Sequence, residues 1–349
     1  MERKPVYYSE YLQLDKILNA QETESSKEGI RADDEMLFIT IHQAYELWFK
    51  QLLYEVDLVR EVFKEHTIND NKPYLQNAVH RLKRCATILQ VLVQQIDIME
   101  TMTPLDFLDF RDLLRPASGF QSIQFKMLEA LLGLQYTERH GQEYYVSQLN
   151  QGDISRVKKT EEEVSLLVLI NQWLERLPIF DHQDFWAGNT RPGNSSEHIF
   201  WQQFRETYKQ SLSPGEKLNL DMFDQLFMTD AEYPADRRLS PKANRSALFI
   251  MLYRDYPLLY QPFQLLNALL EIDDLLAQWR YRHMNMVQRI IGRRIGTGGS
   301  SGAQYLKGAA DKHYIFREVA ELTSFLIQRS KLPVLEDKLT DALGFKPRG

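Results

Sequence analysis

Between Asp34 and Phe63 the apolar side chains fall at positions 38, 41, 45, 48, 52, 56, 59 and 63. Steps of three and four place them on one stripe of an α-helix, whereas a strand would send alternate residues to opposite faces. The spacing predicts a helix from about Asp34 to Phe63 and a second, nearly as long, over Tyr74–Met99. "TPLD" then marks a new start. Thr103 suits the cap, Pro104 the first turn, and Asp106 the acid of a capping box. Pro116 disfavours helical geometry at Arg115, so this helix must stop near Leu114. Further helices are predicted over Gln121–Leu132, Thr160–Leu177, Ser195–Ser211, Tyr260–Ile291 and Ile315–Gln328. Strand-like alternation is almost absent, and no repeat of 20–50 residues is visible. The fold class expected is all-α: one domain over 1–349, with an N-terminal arm (1–20) and an inserted small helical subdomain at about 141–240.

Composition narrows the chemistry. A net charge of −6 and a pI near 5.8 give no polycationic face for nucleic acid. The single cysteine, Cys85, excludes intramolecular disulfides, multi-cysteine zinc sites and covalent haem attachment through CxxCH. One unpaired thiol fits a reducing cytosol, and "MERKPVYYSEYLQ" has no apolar signal core. A cytoplasmic chain without a membrane span is expected.

Three stretches concentrate side chains that can do chemistry. In "FITIHQAYELWF", His42 lies roughly 40° round the helix from Phe38, inside the apolar sector. It is either a core histidine paired with Glu46 four residues on, or a neutral imidazole offering a ring nitrogen to a ligand among aromatics. In "DFLDFRDLLRPASGF", Arg111 faces apolar neighbours with no acid three or four residues away. Such a guanidinium needs an anion from elsewhere, a distant acid or a ligand carboxylate, with Phe107 one turn earlier as an aromatic contact. In "WRYRHMNMVQRIIGRRIGTGGSSG", His283 shares its face with Leu276, Trp279, Met286, Val287 and Ile290. That environment suits a packed core histidine or an axial ligand to a flat apolar macrocycle better than proton transfer. The glycines from Gly296 to Gly302, with Thr297, Ser300 and Ser301, let backbone amides approach a ligand closely. They lack the lysine and the preceding strand of a phosphate loop. Asp181, His182 and Asp184 in "FDHQDF" read as a solvated turn rather than a metal site.

These stretches, with "YYSEYLQLDKILNAQ" and "DEMLFITIHQAYELWFKQLLYEVD", resemble the tryptophan 2,3-dioxygenase family in four motifs in the same order, from both ends of the chain. The resemblance implies a haem-dependent dioxygenase that opens the indole ring of L-tryptophan with O2 to give N-formyl-L-kynurenine, in tryptophan catabolism. It implies His283 as the axial ligand of a b-type haem iron, ferrous when active, and His42 as the distal histidine beside the indole N–H. Phe38 and Phe107 would wall the indole, Arg111 would bind the carboxylate, and Thr297 would help hold the amino-acid end. Ser118 would lie near the haem edge. Tyr8 and Tyr11 would reach a neighbouring subunit's pocket, in a homotetramer built as a dimer of dimers. One departure is Arg115, where the family has a small polar residue before "PASGF". Two other chemistries are compatible with the same residues: insertion of a single oxygen atom, or sensing of haem or tryptophan without turnover.

Overall fold

A computed structural model describes residues 4–65, 73–140, 149–186, 192–229, 233–234, 236–292, 294 and 302–344. Among these the elements are helices, with no strand, as the periodicity requires. The N-terminal arm holds α1 (Tyr8–Leu12), α2 (Leu14–Leu18) and α3 (Glu24–Lys27). The frame consists of α4 (Glu35–Lys64), α5 (Tyr74–Met99), the short α6 (Pro104–Phe110) and α7 (Ile123–Leu132). Then come α8 (Gln151–Glu161), α9 (Leu166–Glu175), α10 (Ile199–Ser211), α11 (Leu218–Phe223) and α12 (Pro241–Leu252). The chain closes with α13 (Pro257–Ile291), α14 (Gly302–Lys312), α15 (Arg317–Glu321) and α16 (Asp337–Leu343). No helix among the described residues is long and apolar enough to cross a membrane.

The long helices α4, α5 and α13 pack side by side, with α7 against α4 and α14 against α13. Their apolar stripes meet in one large core that takes in Leu52, Val56, Leu82, Leu89, Leu269 and Leu276, each essentially sealed from solvent. Burying a leucine side chain is worth about 1.5–3 kcal/mol, so this interface contributes strongly to the fold's stability. A second, smaller apolar cluster lies at one end: Ile41, Ile96, Met99, Met102, Phe107, Phe110, Met286 and Ile290. Tyr45 and Trp279 touch both clusters.

Several expected boundaries hold and others move for identifiable reasons. α6 has the capping box at Thr103 and Asp106, with Asp106 Oδ2 accepting from Thr103 N–H at 2.8 Å. It tightens into a 3₁₀ turn over Arg111–Leu114 before Arg115 becomes extended ahead of Pro116. The single helix expected over Thr160–Leu177 is instead two. Ser165 caps α9 through the Val168 N–H, and the buried Arg60 takes the Val164 carbonyl at 3.1 and 2.9 Å, a group a continuous helix would need for itself. The helix expected over Ile315–Gln328 shrinks to α15 and a 3₁₀ turn, Leu322–Phe325. The Asp273 carboxylate holds the Ile315 and Phe316 amides at 3.0 and 2.7 Å, ahead of the first turn. α13 starts three residues before the expected Tyr260, with Pro257 at its first position, and runs through Pro262. α12 has no counterpart in the sequence reading because it is buried all round from Ala243 to Leu252, leaving no amphipathic stripe to detect.

Candidate active site

The smaller apolar cluster forms part of the wall of a cavity of about 920 Å³ between α4, α6, α7 and α13. From α4 it receives Phe38, His42, Tyr45, Glu46 and Phe49, which recur at helical spacing and so share one face. From α13 it receives Trp279, His283, Met286, Val287 and Ile290 by the same geometry. Phe107 and Arg111 enter from α6 and its 3₁₀ turn, and Ser118 from the loop that follows. The structure therefore gathers Phe38, His42, Phe107, Arg111, Ser118 and His283, which span 246 residue numbers (38 to 283), around one space. Thr297 lies outside the described residues. Tyr8 and Tyr11 do not line this cavity, and stand 75% and 74% exposed.

The two histidines are held differently. His42 Nδ1 lies 2.7 Å from the Phe38 carbonyl oxygen. A carbonyl can only accept, so Nδ1 carries the proton and Nε2 keeps its lone pair. Glu46, the partner the sequence offered, is engaged elsewhere: Gln124 Nε2 donates to its carboxylate at 2.7 Å and to its backbone carbonyl at 2.8 Å. Burial lowers the His42 pKa, opposed by the Phe38 carbonyl and the Glu46 charge, so the ring is neutral near pH 7. His283 stacks on Trp279 with centroids 5.1 Å apart and planes 13° from parallel. Its Nδ1 is buried without a hydrogen-bond partner. Burial, then the neighbouring His42, pushes its pKa down to about 4. A neutral imidazole keeps a lone pair on one of its two nitrogens, so a His283 ring that lines an apolar cavity is available as a Lewis base.

The aromatic wall has its own order. Phe38 and Phe107 stack at 5.7 Å, and Phe110 meets each edge-on at 5.6 and 5.4 Å. Rings at that separation already touch, so a flat ligand lies against the pair rather than between them. Arg111 is 5% exposed, beside Leu113 and Leu114 in the lining. Arg115, also in the lining, is largely exposed and ion-paired with Asp112 at 3.2 Å.

Sequence reasoning missed the cavity's polar end. Glu129 on α7 accepts from Arg139 at 2.6 Å and from Arg280 at 2.7 Å, with His313 Nδ1 at 3.5 Å. Burial would raise its carboxyl, but the two guanidiniums hold it well below the usual carboxylate range. Arg139 also meets Glu161 at 3.3 Å. Lys126, one turn before Glu129, is pushed down to about 8 by burial, against the pull of Glu129. Glu129 lies 151 positions from Arg280 and still farther from His313, and no local spacing announces either pairing. The one available signal is Arg280, three residues before His283 and so on the same side of α13.

Comparison with known proteins agrees with the motif resemblance. A family model described as tryptophan 2,3-dioxygenase matches residues 1–326. A tryptophan 2,3-dioxygenase of Dictyostelium discoideum is 43% identical, over 98% of this chain and 89% of the relative. One from Alteromonas mediterranea is 42% identical over 98% of each chain. One from Bdellovibrio bacteriovorus is 38% identical over 99% of each. With likeness running through almost the whole length of chain and relatives, this chain belongs to the tryptophan 2,3-dioxygenase family.

Proposed function

We infer that this chain opens the indole ring of L-tryptophan oxidatively, adding both atoms of O2 across the C2–C3 bond to give N-formyl-L-kynurenine. The observation that carries this reading is the convergence of His42, His283 and the buried Arg111 on one aromatic cavity. Its size, about 920 Å³, falls in the usual range of roughly 300–1,000 Å³ for small-molecule and cofactor sites.

The donor set fits a haem. His283 supplies a neutral imidazole whose buried Nδ1 lacks a partner, and Met286, Val287 and Ile290 give an apolar surface beside it. At the polar end Lys126, Arg139 and Arg280 stand beside Glu129, a group of cationic side chains of the kind that a porphyrin's carboxylates would meet. His283 is the proposed iron ligand, and Ser118 a contact at the porphyrin edge. When bound, a ferrous haem supplies the activation of O2 that an indole ring cannot bring about unaided.

The chain's own residues bind and orient. Arg111 takes the substrate carboxylate in a forked pair of charge-assisted bonds. Phe38 and Phe107 present a flat wall that fixes the plane of the indole, so the amino-acid end and the ring are held together in a reactive pose. His42 receives the indole N–H at Nε2, since Nδ1 is committed to the Phe38 carbonyl. It orients and does not deprotonate, because an indole N–H is a very weak acid. Thr297 is proposed to hold the ammonium and carboxylate. Tyr8 and Tyr11 are proposed to enter a neighbouring subunit's cavity in a homotetramer, a reading supported by their exposure and by the absence of buried residues from α1 and α2.

The test is a visible spectrum of the reduced protein without oxygen, with and without L-tryptophan, followed by admission of air. A haem band that shifts with tryptophan, then formylkynurenine carrying two added oxygens, is expected. One added oxygen would mean hydroxylation, and a shift without product would mean sensing.

A further inference from the structure

Glu35 opens α4, where an acidic side chain normally faces solvent and complements the helix's own N-terminal amides. Here it is 0% exposed, and its carboxylate serves a different segment. Glu35 Oε1 accepts from the Glu24 N–H at 2.8 Å and Oε2 from the Ser25 N–H at 2.9 Å. Burying a carboxylate is costly unless it is fully hydrogen-bonded, so the fold commits substantial free energy to holding this stretch of backbone.

The stretch buries little of itself. Of α3, only Ser25 is buried, and α1 and α2 bury nothing. A turn from the Ile30 N–H to the Ser25 carbonyl, 2.8 Å, folds it back, with Gly29 at φ +67° in the left-handed region that glycine tolerates. At the other end Gln43 donates to the Ala20 carbonyl at 3.0 Å and accepts from Gln21 at 2.7 Å. Between these ties α3 lies against the Arg111–Leu114 turn, and Glu22, Glu24 and Glu35 join Arg111 in the cavity lining. Glu35, Phe38 and His42 fall at i, i+3 and i+7, on one face of α4.

We propose that Glu35 is a positioning residue for substrate binding: its carboxylate latches residues 21–30 as a strap across the Arg111 end of the cavity. This rests on the reading of Arg111 as the carboxylate clamp. Without the latch the strap opens for part of the time, and the apparent affinity falls by the fraction of molecules still closed. The groups that react are untouched, so the effect appears in KM and not in kcat.

The test compares Glu35→Ala, Glu35→Gln and Arg111→Ala in the haem-loaded protein, by steady-state kinetics with L-tryptophan and by deuterium exchange. Glu35→Ala should raise KM about tenfold and leave kcat within about twofold, with haem content unchanged and the Glu24 and Ser25 amides exchanging at least about tenfold faster. Glu35→Gln keeps one acceptor oxygen and should fall between. It decides the matter by the same criteria if the alanine variant does not fold. Unchanged exchange at Glu24 and Ser25 would show that Glu35 is not the latch. Faster exchange with an unchanged KM would show a structural tie only. Either result overturns the proposal. An unchanged KM in Arg111→Ala would instead remove the clamp reading, while the exchange data would still judge the latch.

Discussion

Replacing Arg111 with alanine should weaken tryptophan binding by one to two orders of magnitude. The guanidinium is 5% exposed, so a carboxylate that meets it does so with little competition from water. A hydrogen bond to a charged group contributes about 1.5–3 kcal/mol. Because side-chain truncation also leaves room for water to enter, we take the loss for the forked pair as about 2–3 kcal/mol in total. At about 1.4 kcal/mol per tenfold, that is roughly a 30- to 150-fold rise in Kd or KM. The decisive assay adds tryptamine, which has the indole and the amine but no carboxylate. Calorimetry of wild type and variant against both ligands forms a thermodynamic cycle in which only tryptophan in the wild type retains the pair. The variant should separate the two ligands far less than the wild type does, by the worth of the lost pair. If Arg111→Ala weakens both ligands by the same factor, the arginine acts on cavity shape and the clamp is refuted.

Other consequences can be checked independently. His283→Ala should purify without a stable Soret band, and full haem retention would reject the iron-ligand assignment. His42→Ala should keep measurable turnover, because orientation is lost and no obligatory base is removed; complete inactivity with haem intact would point to a true base. Glu129→Gln leaves Arg139 and Arg280 buried against a neutral amide and should destabilise the fold by about 3 kcal/mol, read from denaturant unfolding. His198, 1% exposed, sits edge-on to Phe180 and Trp186, and burial pushes its pKa from 6.5 to about 4. The unfolded chain therefore takes up this proton first, so its contribution is intact above about pH 6.5 and is lost as pH falls toward 4. The loss is on the order of 3 kcal/mol. His198→Phe should flatten that part of the stability–pH curve.

The frame and the two helical faces of the cavity wall are legible in the sequence because both are periodic. The stripes on α4 and α13 specify a face, and Phe38, His42, Trp279 and His283 lie on those faces at fixed offsets. What is not legible depends on groups brought together from distant positions. Spacing offers Glu46 to His42, but the Phe38 carbonyl takes Nδ1 and Gln124 takes Glu46. The break before α9 depends on Arg60, which is 104 positions from the carbonyl it binds. Glu35 reads as an ordinary first-turn acid until the fold lays Glu24 and Ser25 over it. α12 is hidden for the opposite reason, since a helix buried all round has no polar face to set its period.

The division of the apolar interior into a large sealed mass and a small cluster around the cavity has a consequence for how the molecule matures. Leu52, Leu82, Leu269 and their neighbours pack against one another on every side, whereas Phe107, Met286 and Ile290 each give part of their surface to the cavity wall. Maturation then falls unevenly on the chain: a flat apolar guest entering the cavity would stiffen the neighbourhood of α6 and the last turns of α13 far more than the rest.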